Sequence, residues 1–196
     1  RFAPCAIEGD LIVVTSWRDT KGPGKAYVFR REMGSWTEET TLVPDDGIFG
    51  DGFGYDLDIF GSRVLIGADD HDLGGLSGSG SAYVFVYSDG TWLQEAKLVA
   101  NDPGVGDNFG HSVALYGDVA AIGAWSHDLP GLGNAGAVYA FQRDVSGWNQ
   151  IEKISAPDAG VGDFFGGYSI ALDQDLLIVS AVLDDSPFDT FLPGYS

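Results

Sequence analysis

Three loops of the chain carry paired aspartates among glycines, a pattern that points either to calcium binding or to turn formation. Two of the loops share the pattern Asp-x-Gly-x-Gly-Asp, and the acids of the three loops are Asp46 and Asp51, Asp102 and Asp107, and Asp158 and Asp163. Calcium takes six to eight oxygen ligands, which carboxylates and carbonyls of a flexible loop can supply. Alternatively, each aspartate accepts hydrogen bonds from backbone N–H groups of its own turn. Because the spacing is not that of an EF-hand loop, the pattern favours turn formation, with calcium as the second interpretation.

Two tryptophans are the candidate ligand-binding residues. Trp17 and Trp125 each follow a short apolar run and stand at the start of a loop. An exposed aromatic ring on a loop can stack on a sugar ring or anchor a partner protein. The alternative, which the sequence favours, is that both rings fill interfaces between neighbouring sheets.

The histidines do not form a recognisable catalytic group. His71-Asp72 and His127-Asp128 lie 56 residues apart, whereas a catalytic pair is expected once in a chain. These pairs therefore indicate hydrogen bonding to the backbone of their loops. His111 is a single histidine with no partner visible in the sequence. The sequence also lacks a Gly-x-Ser-x-Gly nucleophile motif and a cysteine pair for zinc, so we expect a non-catalytic protein with no cofactor besides calcium.

The composition excludes several functional classes. The chain has 29 acidic and 10 basic residues among 196, a net charge of −19, and therefore no basic stripe for nucleic acid. Hydrophobic residues make up 44% of the sequence, which argues against disorder. The apolar runs are too short to span a membrane. Cys5 is the only cysteine and cannot form an intrachain disulfide.

The chain is built from a repeat of 56 residues. This spacing separates the members of several sets of equivalent residues, among them Phe53, Phe109 and Phe165 before glycine, Tyr27, Tyr83 and Tyr139, and Trp36, Trp92 and Trp148. Several sets in one register identify tandem structural units. The predicted units are residues 1–52, 53–108 and 109–164, with a partial unit at 165–196.

Each full unit contains four short strand-like segments. In the third unit they are 112–115, 119–122, 137–141 and 148–155. Runs of this length are too short for helices. The first two are apolar on both faces and the fourth mixes charged and apolar residues, which indicates buried inner strands and an exposed outer strand. Successive four-stranded antiparallel sheets of this kind form a β-propeller, so we predict an all-β fold with about three and a half blades.

The recurring phrases of the units resemble those of the FG-GAP repeat family. They are Phe-Gly at the start of a unit, Ile-Gly-Ala after its second strand, as at 66–68, and Ala-Tyr-Val-Phe in its third strand, at 82–85. The resemblance implies the β-propeller of integrin α-chains and of many bacterial surface and secreted proteins, with about seven blades in the integrin type. The sequence departs from that type because the Asp-rich calcium loop between the first two strands is missing. The first unit has Arg1-Phe2 in place of Phe-Gly, and the fourth carries one extra residue near Gly167.

These observations predict an extracellular or cell-surface module for binding, adhesion or surface structure, without catalysis. An acidic surface suits a secreted, salt-tolerant setting. The alternatives are a lectin-like or polysaccharide-active propeller domain and a subunit of an extracellular fibre. Activity on polysaccharide would need a non-repeated group of carboxylates with Tyr or His on one face, and the sequence reveals none.

The outer faces of the terminal units are expected to contact further protein. Phe2, Cys5 and Ile7 at one end, and the strand at 176–179 at the other, would have no intrachain cover in a row of blades. Apolar surface and unpaired strand edges of this kind favour contact with other chains. The expected partners are the remainder of a longer chain or other subunits of an assembly, together with a glycan or surface ligand.

Overall fold

The computed structural model describes residues 4–19 and 21–184, which form strands, turns and loops. The first sheet contains β1 (Cys5–Glu8), β2 (Leu11–Ser16), β3 (Lys25–Glu32) and β4 (Ser35–Leu42). The second contains β5 (Phe53–Phe60), β6 (Arg63–Ala68), β7 (Ser81–Ser88) and β8 (Thr91–Leu98). The third contains β9 (Phe109–Tyr116), β10 (Val119–Ala124), β11 (Ala137–Asp144) and β12 (Gly147–Ile154). The fourth contains β13 (Phe165–Asp173) and β14 (Leu176–Ala181).

Each sheet is an antiparallel meander, in which strands that follow one another in sequence pair in space. The sheets lie side by side through their first strands, since β5 contacts β9 and β9 contacts β13. The described residues thus form three four-stranded sheets and one two-stranded sheet in an open row. This architecture confirms the predicted all-β propeller fold of about three and a half blades.

The glycines of the recurring motifs let neighbouring sheets approach closely. A Cβ atom on Gly67 would overlap the carbonyl oxygen of Gly110 in the next sheet, and one on Gly123 would overlap that of Gly166. Gly110 also has a φ of 95°, which residues with side chains rarely adopt. Alanine at these positions would force two blades apart, so the packing of consecutive sheets explains both motifs.

The phenylalanines of the Phe-Gly motifs fill the cores of the sheets. Phe53 and Phe109 are buried, and each packs edge-on against the third-strand tyrosine of its own sheet. The ring centroids lie 5.7 Å apart for Phe53 and Tyr83 and 5.5 Å apart for Phe109 and Tyr139. The second strands β6 and β10 are almost wholly buried, whereas the outer strands β8 and β12 alternate between exposed and half-buried residues. This gradient from buried to exposed strands agrees with the sequence prediction.

Long loops and tight turns lie at opposite ends of the sheets. Residues 69–80 and 125–136 join second strands to third strands, and residues 99–108 and 155–164 join consecutive sheets. Because the strands are antiparallel, all these loops leave from one end of the sheets, which we call the loop face. The opposite end has turns such as Asp89-Gly90, where both residues have positive φ, as in a type I′ hairpin.

Apolar side chains are exposed at both ends of the row of sheets. Ile7 is 66% exposed on β1, and Leu176 and Ile178 are 44% and 45% exposed on β14. Cys5 is also exposed. The predictions for Phe2 and for the part of the fourth unit from residue 185 to 196 lie outside the described residues. Contact of these ends with further protein stays a prediction.

Candidate ligand-binding face

One aspartate of each paired-aspartate loop closes a turn. These three aspartates are buried, and each accepts a hydrogen bond from the backbone N–H three residues before it, in the pairs Asp51 with Ile48, Asp107 with Gly104, and Asp163 with Gly160. An aspartate that bonds its own backbone in this way stabilises the turn. The structure thus shows the turn-forming role that the sequence favoured.

In the third sheet, the same loop is joined to the strands by a polar network. Lys153 on β12 lies 2.6 Å from Nε2 of His127, and Nδ1 of His127 lies 2.8 Å from a carboxylate oxygen of Asp107. Lys153 also pairs with Asp102 at 2.8 Å, and the hydroxyl of Tyr139 donates to Asp102 at 3.0 Å. A neutral imidazole with its proton on Nδ1 satisfies both contacts of His127, because a lysine can only donate and a carboxylate can only accept.

The second sheet contains the same network. Nε2 of His71 lies 2.7 Å from Lys97, its Nδ1 lies 3.0 Å from Asp51, and Tyr83 donates to Asp46 at 2.9 Å. Recurrence in two sheets indicates a structural role for the histidines, as the sequence suggested, but with side-chain partners instead of the loop backbone. The aspartates that follow them bond the backbone instead, since Asp72 accepts from Gly78 at 2.8 Å and Asp128 accepts from Asn134 at 2.7 Å.

The paired aspartates are committed to partners within the chain. Burial acts to raise the pKa of Asp46 and of Asp102, but hydrogen bonds from lysine and tyrosine hold the pKa of each below its ordinary value. Asp158 lies exposed on the third loop. Within the part of the chain that the structure describes, no three or more His, Cys, Asp or Glu side chains are grouped to hold a metal ion. Calcium binding by these loops stays a prediction.

The inner strands of the second, third and fourth sheets bulge just after their Phe-Gly. Pairing between β5 and β6 passes from Phe53 with Ala68 directly to Leu57 with Ile66, and β9 and β13 show similar shifts. A bulge leaves residues outside the hydrogen-bonded pairing of the two strands and changes the direction of their side chains. The residues within or beside these bulges at the loop face include Tyr55, His111 and Tyr168.

These residues join the two predicted tryptophans in one line of rings across the loop face, which we call the aromatic row: Trp17, Tyr55, His111, Trp125, Phe164 and Tyr168. Its ring centroids lie 5.2 Å apart for Trp17 and Tyr55, 4.3 Å for Tyr55 and His111, 4.8 Å for His111 and Trp125, and 4.8 Å for Trp125 and Phe164. Tyr168 meets His111 at 6.4 Å. The row crosses all four sheets, so two positions that the sequence identified separately belong to one surface feature.

The two predicted tryptophans are half-buried within this row. Trp125 lies between His111 and Phe164, and Trp17 packs against Tyr55 with the guanidinium of Arg18 4.4 Å from its ring centroid. These contacts support the interface-packing interpretation of both residues. A direct role of Trp17 and Trp125 in ligand binding stays a prediction.

One interface in the row holds an Asp–His pair instead of two aromatic rings. Asp69 occupies the repeat position of Trp17 and Trp125, and Nδ1 of His111 lies 2.9 Å from a carboxylate oxygen of Asp69. Asp69 is buried, and burial raises the pKa of its carboxyl group. Its second oxygen is buried without a hydrogen-bond partner among the described residues. The pair fixes the orientation of the His111 ring, and an imidazole that donates from Nδ1 to Asp69 has Nε2 as its acceptor nitrogen when it is neutral.

A pocket of about 180 Å³ opens beside this pair, lined by Tyr55, Asp56, His111, Gly167 and Tyr168. Asp56 accepts the backbone N–H of Val113 at 2.9 Å, and burial raises the pKa of Asp56 to about 6. Tyr168 is 63% exposed. The lining therefore brings Asp56, His111 and two tyrosines together on one face, with a single carboxylate instead of the group of carboxylates that activity on polysaccharide would need.

Sequence reasoning missed this pocket because its residues come from three different sheets. Each of them looks ordinary within its own unit, and His111 has no acidic neighbour in sequence. The repeat nevertheless contains a signal. Trp17 contacts Tyr55 where Asp69 contacts His111, so two variable positions of the repeat change together from an aromatic pair to an Asp–His pair.

The FG-GAP repeat model matches three segments, residues 36–85, 92–141 and 148–190, which together cover more than half of the chain. Each matched segment begins on the outer strand of one sheet and continues into the next sheet, so the matched unit links consecutive blades. Comparison with curated proteins gave no match. In the described residues, no helix has the length and apolar character needed to cross a membrane.

Proposed function

We propose that this chain, which belongs to the FG-GAP repeat family, is an extracellular, non-catalytic binding or adhesion module that engages its ligand through the loop face. The supporting observation is the aromatic row. It brings together on one surface several positions that differ between repeats, whereas recurring residues such as Phe53 and Phe109 fill the cores. In repeat proteins, ligands are commonly bound on a surface of this kind.

The aromatic row suits binding because it combines rings and carboxylates. Aromatic side chains contribute large contact areas with few rotatable bonds, and they are enriched in binding surfaces. Phe49 is 69% exposed beside Trp17 and lines a second pocket with Arg18 and Asp19 at that end of the row. The row thus offers a ligand an extended surface with a pocket at each of two points.

A non-catalytic role is favoured by the chemistry of the pocket beside His111. Among the described residues its lining holds one carboxylate, that of Asp56, whereas hydrolysis of a glycosidic bond uses a pair of carboxyl groups. The His111 ring is also stacked between Tyr55 and Trp125. The extracellular setting is supported by the strongly acidic composition and by the family.

The proposal is tested by binding assays on panels of immobilised extracellular-matrix proteins and of glycans. The variant Tyr55→Ala with Trp17→Ala removes two adjacent rings of the row. Trp36→Ala is the matched control, because Trp36 is 38% exposed on the outer strand β4, away from the loop face. We expect the row variant to lose about tenfold or more in affinity for any ligand found. Binding that survives in the row variant, or that falls equally in the control, would reject the loop face as the binding surface.

A surface-structural role is the second proposal, favoured by the exposed apolar side chains at the two ends of the row of sheets. Ile7 lies at one end, and Leu176 and Ile178 lie at the other. Light scattering of the chain should then show association that decreases in the variant Ile178→Thr. A monodisperse, stable monomer at high concentration would contradict this second proposal.

A further inference from the structure

We infer that the pocket lined by Tyr55, Asp56, His111, Gly167 and Tyr168 binds one neutral pyranose ring of a saccharide. The inference rests on the proposed binding function of the loop face and specifies its ligand class. It is drawn from three features of the pocket, which are its size, its hydrogen-bond acceptors and its exposed ring.

The size of the pocket suits a single ring. Its volume of about 180 Å³ lies below the range of roughly 300–1,000 Å³ that is usual for pockets holding drug-sized ligands. Gly167 lines the pocket, and its position has no room for a side chain. A Cβ atom there would lie 2.8 Å from the carbonyl oxygen of Phe164 and 3.1 Å from Cβ of Trp125. Gly167 lies where the fourth unit carries its extra residue, so the pocket depends on a feature that only this unit has.

Two side chains of the pocket, His111 and Asp56, can accept hydrogen bonds. No described residue donates to Nε2 of His111, whose Nδ1 is held by Asp69 at 2.9 Å. An imidazole in that tautomer accepts at Nε2. The carboxylate of Asp56 is a second acceptor in the lining. A ligand that satisfies both must donate from two positions, as neighbouring hydroxyl groups of a pyranose do.

The pocket also offers an apolar face. Tyr168 is 63% exposed and lies 6.4 Å from His111 between ring centroids. An exposed aromatic ring packs well against the C–H face of a sugar ring. The net charge of −19 repels anionic ligands, so the fit is to a neutral sugar and not to a uronic acid or a sulfated sugar.

The recognition groups are held in place before any ligand arrives. The His111 ring lies between Tyr55 and Trp125, with centroid distances of 4.3 Å and 4.8 Å. Asp69 fixes its tautomer, and the N–H of Val113 fixes Asp56 at 2.9 Å. A group that is already ordered loses little conformational freedom on binding, which favours even a small ligand.

The test uses the full chain and three probes, the methyl α-pyranosides of glucose, galactose and mannose, titrated while the imidazole ¹⁵N signals of His111 are followed by NMR. We expect at least one probe to shift the Nε2 signal of His111. We expect its affinity to fall about tenfold in Tyr168→Ala and in His111→Phe. Tyr168 is exposed, so its substitution spares the fold, and His111→Phe preserves a ring within the stack.

Trp36→Ala is the control and should bind the probe as the unmodified chain does. The inference is overturned if no probe shifts the His111 signal, or if Tyr168→Ala binds as well as the unmodified chain. Its failure is distinguishable from failure of the proposed function. A loop face that binds a matrix protein, and loses this binding in the row variant, would retain the proposed function while excluding the pyranose site.

Discussion

Two groups of polar and aromatic side chains lie at the loop face, and only one of them is repeated. The network of Asp102, Asp107, His127, Tyr139 and Lys153 recurs in the second sheet with the same residue types. The pair of Asp69 and His111 occurs once, between aromatic pairs at the neighbouring interfaces. The comparison separates two uses of histidine. His127 has hydrogen-bond partners on both ring nitrogens, and His71 has Lys97 at Nε2 and Asp51 at 3.0 Å from Nδ1. For His111, the contact found among the described residues is that of Nδ1 with Asp69.

The largest expected effect is on the repeated network. In His127→Ala, Asp107 and Lys153 lose their shared partner, and Asp107 is buried. We expect the free energy of unfolding to fall by about 2–4 kcal/mol, measured by chemical denaturation. His71→Ala should give a similar loss, because its network has the same members. A loss in only one of the two variants would show that the networks are not equivalent.

The second prediction concerns the pocket, where a buried acid destabilises the folded protein. Folding raises the pKa of Asp56 from 3.8 to about 6, so the folded protein holds this proton more tightly than the unfolded chain does. The contribution of protonated Asp56 to the free energy of unfolding is fully present below pH 4 and is lost as the pH rises through 6. Asp56→Asn should therefore stabilise the protein at pH 7, by ~1–3 kcal/mol. The gain should vanish at pH 4, as measured by thermal unfolding at both values.

A stabilising effect of Asp56→Asn that is equal at both pH values would show that burial of charge is not its cause. Asp58→Asn is the control for position on β5. Burial raises the pKa of Asp58 as well, so the direction of its effect should be the same. Asp58 lies outside the pocket lining, however, so we expect its substitution to leave pyranoside binding unchanged.

A smaller effect is expected at the exposed edge of the repeated network. Asp102 pairs with Lys153 and accepts from Tyr139, and its side chain is 51% exposed. Because solvent screens such pairs, Asp102→Ala should lower the free energy of unfolding by only about 0.5–1 kcal/mol. The matched variant is Asp46→Ala in the second sheet. A loss as large as that of His127→Ala would mean that the aspartate, and not the histidine, is the centre of the network.

The smallest effect is expected from a chelator. The buried aspartates of the loops already accept hydrogen bonds from the chain, so we expect an unchanged melting temperature in excess chelator. If calcium is bound near Asp107 and Asp163, the melting temperature should fall in chelator, because a ligand of the folded state raises its stability by mass action. A lower melting temperature in chelator, restored by added calcium, would establish the calcium interpretation of the sequence.

Much of the fold follows from patterns within single units. The spacing of Phe53, Phe109 and Phe165 predicts the repeat, and short apolar runs with a polar fourth strand predict the sheets. The Asp- and Gly-rich pattern of the loops, with a spacing unlike that of an EF-hand, predicts the turn-forming aspartates. The strand lengths differ by a few residues, as β9 extends to Phe109–Tyr116 where the sequence indicated 112–115. The strands and turns depend on neighbours within a few residues, which are visible in the sequence, and the repeat shows itself when equivalent residues recur.

The candidate site was predicted only in part. Trp17 and Trp125 lie in the aromatic row, but the pocket and its central pair were not foreseen. The partners of His127 were also different from those expected, because Asp107 and Lys153 come from other parts of the chain. A contact of this kind has no sequence spacing that predicts it until the register of neighbouring blades is known.

The sequence by itself determined a row of four-stranded blades. Short apolar runs and turn residues act locally, and they recur with a period of 56 residues. Only the tertiary structure decided which variable residues meet. Asp69 and His111 are 42 residues apart, and their contact exists because two sheets pack through glycines and because the inner strand β9 bulges beside its Phe-Gly. The bulges aim side chains along a surface, and the packing of sheets brings these side chains together. The pocket is therefore a property of the assembled blades and not of any one repeat.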